Sequence, residues 1–298
     1  MSLRIQGTTQ LLGVIGHPVK HSFSPAMHNA ALAHLGLDFV YLPFAIAPPD
    51  LPVAVDGFAA IGVQGFNITI PHKQAILPLL TQVTDTAQAI GAVNTVWRTD
   101  QGWHGTNTDV TGFLAPLQAG RGAGRGARNW QGQTAMILGN GGAARAVVAA
   151  CAQLDMAHIQ VFGRSLGKLQ AFLDSWRGAA FADRMSVHLW SELSEALPQA
   201  QLVVNSTPLG MAPQTETSPL SPAQMALLPD NAVAYDLIYT PRPTQFLKLA
   251  ADRGLTAIDG LEMLVQQGAA ALEIWIRQAP PVEVMRTALL EQCKLKES

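Results

Sequence analysis

The polar side chains best suited to chemistry come early in the chain: Ser22 and Ser24, then Asn67, Thr69 and Lys73, then Asn94, and the run Thr106-Asn107-Thr108-Asp109. Each group stands where an apolar run gives way to a turn or to the start of a helix. Hydroxyls at a helix N-terminus suit a carboxylate, because the N–H groups there lack intrahelical partners and the helix dipole favours negative charge. A lysine and an aspartate suit proton transfer to or from an alcohol or ketone while a hydride moves to or from a nicotinamide. Plainer readings stand beside these: Ser24 and Asp109 read equally as helix caps, and Lys73 as an exposed first-turn lysine. The eight histidines form no metal set. His17 and His21 lie one helical turn apart, but Pro18 argues against the helix that would align them.

A second constellation lies near the middle of the chain, where Thr134-Ala-Met-Ile-Leu leads into Gly139-Asn140-Gly141-Gly142-Ala143 and then an Ala-rich, helix-forming segment. This is the strand-turn-helix order of a dinucleotide-binding turn: the glycines let backbone N–H groups approach a pyrophosphate, and the helix offers its positive end to the same anion. About 20 residues beyond such a turn, the end of the second strand reads the adenosine ribose. Here it holds Gly163-Arg164-Ser165-Leu-Gly-Lys168, with no acid to bind a free 2′-hydroxyl. Arg164 can stack on adenine and pair with a 2′-phosphate, Ser165 can donate to it and Lys168 adds charge, so NADP is favoured over NAD. The same residues spell G-x-S-x-G, which could be a hydrolase elbow with Ser165 as nucleophile. That reading needs a histidine from the far end of the sheet, and the last one in the chain, His188, follows too soon.

The elements that must position these residues alternate between strand and helix, which makes the chain α/β. Leu11–Gly16 reads as a buried strand, and a helix runs from Pro25 to Leu35, with Ser24 as its N-cap and Gly36 as its stop. Strands are expected at 38–44 and 65–70, a helix at 51–61, and another opened by Pro71 with His72 and Lys73 in its first turn. A helix at 85–90 and a hairpin at 92–106 follow, and Asp109 begins a helix. From Thr134 the pattern is that of a doubly wound sheet, with strands at 134–138, 158–163, near 185–188, 201–205, 232–237 and 255–258. Long helices at 260–277 and 282–294 are too many for that sheet alone and are expected to return to the first domain. The single Gly/Arg-rich run, Gly120 to Arg128, reads as a solvated loop at the edge of the second domain.

At 298 residues, 48% of them apolar and 13% charged, the chain has room for two domains with large cores. A net charge of −2 provides no general field for nucleic acid or an anionic membrane. Cys151 and Cys293 sit in apolar helical surroundings and read as packing. The start lacks the features of a signal peptide, and no apolar run reaches membrane-spanning length, so a cytoplasmic protein is expected.

With these residues in view, the sequence resembles the shikimate dehydrogenase family. The blocks that carry the likeness run in order from Gly13-Val-Ile-Gly-His-Pro-Val-Lys-His-Ser22-Phe-Ser24-Pro-Ala-Met-His-Asn through Asn67-Ile-Thr69-Ile-Pro-His-Lys73, Gly91-Ala-Val-Asn94-Thr and Gly105-Thr-Asn-Thr-Asp109 to the glycine turn. Beyond it come Asn205-Ser-Thr207-Pro-Leu-Gly-Met211, Tyr235-Asp-Leu237-Ile-Tyr239 and Gly260-Leu-Glu-Met263-Leu-Val-Gln-Gln267. The resemblance implies a substrate domain of residues 1–112 completed by 260–298, a Rossmann domain of residues 113–259 that binds NADP(H), and a cleft between them. It implies reversible reduction of 3-dehydroshikimate to shikimate in aromatic amino-acid biosynthesis, by a monomer or homodimer with a small-molecule substrate.

On the family's pattern Ser22 and Ser24 hold the substrate carboxylate, in agreement with the anion argument. Thr69, Asn94, Tyr239 and Gln267 surround the ring hydroxyls, with Lys73 and Asp109 as the catalytic pair. Gly139, Asn140, Gly141, Gly142 and Ala143 would take the pyrophosphate; Gly163, Arg164, Ser165 and Lys168 the 2′-phosphate; Thr207, Leu237, Gly260 and Met263 the nicotinamide half. The family usually has asparagine at the position of Gly163. A quinate/shikimate dehydrogenase of broader scope is the nearest alternative, and Ser24, often threonine in quinate users, favours shikimate. A catalytically silent NADP-binding sensor would lose the proton-transfer pair, and both Lys73 and Asp109 are present.

Overall fold

A computed structural model describes residues 5–119 and 128–297. All of the Gly/Arg-rich run except Arg128 lies outside them. The chain divides into two compact units: Phe113–Met263 is one, and Met1–Gly112 with Leu264–Ser298 is the other.

The first unit is built on a mixed sheet of β1 (Gln10–Gly16), β2 (Phe39–Ala45), β3 (Val63–Ile68), β4 (Gln82–Val83), β5 (Thr95–Thr99) and β6 (Gly102–Thr106), in the order β2-β1-β3-β5-β6-β4. β1 pairs parallel with both β2 and β3, and is buried along most of its length, which explains its unbroken apolar run. β5 pairs antiparallel with β3 and with β6, the expected hairpin. Ile15, Phe58, Phe66, Val96 and Trp103 lie in the core of this unit. The helix Ser24–Leu35 packs on Val282–Glu297.

Two local expectations change in this unit. The helix starts at Ser24 itself, after Phe23, and no side chain caps it. Its stop is as expected, with Gly36 left-handed at φ 66° and its N–H on the carbonyls of Ala33 and Leu32. Pro71 opens no helix: β3 ends at Ile68, and the following residues form turns that lead to a short 3₁₀ segment, Leu77–Leu79. The Lys73 carbonyl is taken by the N–H of Val93 at 2.8 Å, and Pro78 has no N–H to give to Gln74, so the intrahelical ladder cannot propagate.

The second unit has the expected parallel sheet: β7 (Thr134–Leu138), β8 (His158–Gly163), β9 (Met185–Leu189), β10 (Leu202–Asn205), β11 (Val233–Asp236) and β12 (Thr256–Ile258), in the order β12-β11-β10-β7-β8-β9. All neighbouring strands run parallel. The order reverses between β7 and β10, the switch point where doubly wound sheets bind nucleotides. The helices Gly142–Gln153, Leu166–Asp174 and Gln245–Asp252 fall where the sequence places them, the last capped by the Thr244 hydroxyl. Leu261–Ile276 and Val282–Glu297 are the two long C-terminal helices. Among the described residues no helix is long and apolar enough to cross a membrane.

Candidate active site and cofactor site

Lys73 stands on the turn after β3, and its backbone position is set from both sides. Its carbonyl accepts from Val93, and the buried ring of neighbouring His72 bonds the Ile46 carbonyl at 2.7 Å. Asp109 opens its helix with its own N–H on Asn107 Oδ1 at 3.0 Å, while the Asn107 amide reaches back to the Ala92 carbonyl at 2.9 Å. Residues 92–94 are thus the strip to which both catalytic candidates are tied. Lys73 Nζ then lies 2.5 Å from Asp109 Oδ2, with the two side chains 15% and 8% exposed. Screening is weak at that burial, so this pair is stronger than a surface ion pair.

Asn94 completes the arrangement from the segment just before β5. Its amide nitrogen reaches Asp109 Oδ1 at 2.8 Å, Thr108 Oγ1 at 3.0 Å and Gln267 Oε1 at 3.3 Å, and its oxygen accepts from the N–H of Thr108 at 2.7 Å. Both carboxylate oxygens of Asp109 are therefore engaged. An ammonium has three donors. Among the described residues Asp109 takes one of those of Lys73, which leaves the others for an oxygen of a bound molecule.

Ser22 and Ser24 are neighbours, with the Ser24 N–H on Ser22 Oγ at 3.3 Å. Ser24 is buried and Ser22 half-buried at the start of their helix. The Ser24 hydroxyl caps nothing and lies near the Tyr41 phenol. Thr69 is half-buried beside Gly16, where an added Cβ would strike its methyl group. Tyr239 belongs to the second unit and is half-buried beyond the end of β11. Tyr41 and Thr95 are site neighbours that sequence reasoning missed; each sits in a strand and reads there as a packing residue.

In the second unit the glycine turn has the backbone that an anion site needs. Gly139 is left-handed at φ 105°, and a Cβ there would come within about 3 Å of Ser206 and Thr207. Gly141 precedes the helix Gly142–Gln153 with no side chain capping its first turn, so no cap takes those N–H groups. At the end of β8, Arg164, Ser165 and Lys168 are exposed; among the described residues the two cations pair with no acid, and the Ser165 hydroxyl is not spent as a cap. Thr207 is held by Asn205 Oδ1, to which its hydroxyl donates at 2.7 Å. Gly260 must be glycine, since a Cβ would run into the Leu237 carbonyl. Met263 is buried. A backbone cradle at the switch point with unpaired cations one strand away fits a dinucleotide carrying a 2′-phosphate.

Asp236, at the end of β11, is fully buried, and burial pushes its carboxyl up to about 6. Hydrogen bonds from Thr244 at 2.7 Å, the N–H of Ile238 at 3.1 Å and Asn205 at 3.0 Å oppose that shift. They tie together the three loops that carry Thr207, Leu237 and Thr244.

Comparison with known proteins gives a consistent result. The family model for the shikimate dehydrogenase substrate binding domain matches residues 14–96, and that for the shikimate 5′-dehydrogenase C-terminal domain matches residues 260–290. The shikimate dehydrogenase (NADP(+)) of Trichormus variabilis is 59% identical over 286 residues, covering 96% of this chain and 97% of that protein. The crystal structure of shikimate dehydrogenase from Aquifex aeolicus superposes with a TM-score of 0.84 at 36% identity, over 96% of this chain and 99% of that one. That of the Thermus thermophilus shikimate 5-dehydrogenase in complex with NADP(H) and shikimate has a TM-score of 0.81 at 34% identity, over 95% and 99%.

Proposed function

The chain belongs to the shikimate dehydrogenase family, and on that premise we propose that Lys73 and Asp109 carry the proton transfer of its NADP-dependent, reversible reduction of 3-dehydroshikimate to shikimate. The observation that carries this reading is the Lys73–Asp109 contact at 2.5 Å, backed by Asn94 and joined to Gln267.

NADP(H), when bound, supplies or accepts the hydride. Every other part of the reaction falls to the protein. Ser22 and Ser24 hold the ring carboxylate at the helix start, and Thr69, Asn94, Gln267 and Tyr239 bind the ring hydroxyls. Lys73 Nζ donates a proton to the ketone oxygen as that oxygen becomes an alcohol, and takes it back in the reverse direction. Asp109 holds and aims the Lys73 side chain. Residues 139–143 would hold the pyrophosphate, Arg164, Ser165 and Lys168 beside Gly163 the 2′-phosphate, and Thr207, Leu237, Gly260 and Met263 the nicotinamide half. With this reading go a small carboxylated ring as substrate and a cytoplasmic enzyme acting as monomer or homodimer.

Replacing Lys73 separates this assignment from a merely structural lysine. Lys73→Ala is expected to lower kcat for shikimate oxidation by about 10²–10⁴-fold with little change in KM for NADP, the range typical of a lost general acid or base. Turnover close to wild type in that variant would remove Lys73 from the chemistry.

A further inference from the structure

The helix that carries Ser24 turns three consecutive features of one face toward a single residue, Tyr41 of β2. At the phenol end, Ser24 lies close to the hydroxyl. One turn further on, His28 stacks on the Tyr41 ring with centroids 4.2 Å apart and planes within 8°. Next to it, Asn29 grips the Tyr41 backbone twice, accepting from its N–H at 2.8 Å and donating to its carbonyl at 2.9 Å. Trp275 is tilted against the same ring at 6.0 Å and is itself fixed by its indole N–H on the Val96 carbonyl at 2.9 Å. Gly65 and Gly268 make room for this clamp, since a Cβ on the first would strike the Trp275 indole and on the second Met27. Tyr41 has no exposed surface. Such burial keeps a phenol protonated and able to donate at neutral pH.

Its hydroxyl donates to Asn67 Oδ1 at 2.7 Å. The direction of that bond is forced. The Asn67 amide nitrogen faces the Asn94 carbonyl at 3.1 Å, which can only accept, and Thr95 Oγ1 at 3.1 Å. Asn67 Oδ1 is therefore the end left for Tyr41. The peptide of Asn94 that Asn67 holds is the one whose side chain meets Asp109 at 2.8 Å. A buried hydrogen-bonded chain thus runs from Tyr41, beside the serine at the carboxylate position, to the residue behind the catalytic pair.

We propose that Tyr41 is a positioning residue for the reaction, acting through Asn67 to hold Asn94, and with it Asp109 and Lys73, at a fixed place relative to Ser24. The proposal rests on the shikimate reading above. It gives a physical reason for a clamp that the carboxylate site alone does not require. A displacement of about 1 Å at reacting groups is enough to cost orders of magnitude in rate, so a phenol buried behind them matters without touching substrate.

The test is Tyr41→Phe, which keeps the ring and its stacking and removes only the hydroxyl. Wild-type turnover with shikimate and NADP is the control that checks the parent reading separately. In the variant, with folding verified by circular dichroism and activity measured well below its melting temperature, kcat/KM for shikimate is expected to fall about tenfold while KM for NADP stays unchanged. A general loss of structure would move both. Asn67→Ala, which leaves the clamp around Tyr41 intact, is expected to show a similar split, and adding Tyr41→Phe to it is expected to cost no more than twofold further. Wild-type kinetics in Tyr41→Phe, or a full additional tenfold loss in the double variant, would overturn the proposal.

Discussion

Gly163 offers no side chain to a bound cofactor, and the packing at that point leaves no room for one. A Cβ at residue 163 would lie 2.9 Å from Leu169 Cδ2, and Leu169 is fully buried. The leucine has taken the space a side chain would need. On the proposed reading, recognition of the 2′-phosphate rests more heavily on Arg164, which is exposed and engages no acid among the described residues. A charge-assisted contact of this kind contributes about 1.5–3 kcal/mol. Arg164→Ala is therefore expected to raise KM for NADPH by roughly tenfold or more and to leave KM for NADH nearly unchanged. Steady-state kinetics with the two cofactors decides it, and equal effects on both would contradict the 2′-phosphate role. Lys73, Asn94 and Asp109 stand out in the sequence as polar side chains clustered at strand ends and helix starts. Tyr41 was not legible, because a tyrosine in a strand fits a half-buried pleated surface without any need for its hydroxyl.

At the scale of elements, the ends of β10 and β11 are joined through a carboxyl with an unusual titration. Asp236 is raised from 3.8 to about 6, chiefly by burial, so the folded protein binds its proton more tightly than the unfolded chain does. Its contribution to stability is fully present below the unfolded value and is lost as pH rises through the folded one. Between about pH 7.5 and about pH 5 the wild type should gain on the order of 1 kcal/mol relative to Asp236→Asn, which cannot titrate. Urea unfolding of both proteins at the two pH values measures this, and the comparison of trends cancels whatever the substitution itself costs. A constant gap would mean that the carboxylate is not desolvated as its surroundings indicate. Element boundaries followed local signals where those signals were strong, as at Gly36 and Thr244. They failed at Ser24, which caps nothing, and at Pro71, where a bond from a distant segment, Val93 to Lys73, overrides the local preference.

For the molecule as a whole, the parallel sheet was legible as strands alternating with helices, because connections of that kind leave few topologies. The mixed order β2-β1-β3-β5-β6-β4 was not, beyond its β5–β6 hairpin, since the other pairings join segments far apart in sequence and leave no periodic trace. What both units are asked to do together is one reaction, and initial rates test it most directly. Purified protein should be given shikimate with NADP, shikimate with NAD, and quinate with NADP, and nicotinamide reduction followed in each. Shikimate-dependent reduction of NADP is expected, with kcat/KM at least about 10- to 100-fold lower when NAD replaces NADP, since at least one charge-assisted phosphate contact is lost, and lower again with quinate. Binding of NADP without any shikimate-dependent reduction would contradict this expectation.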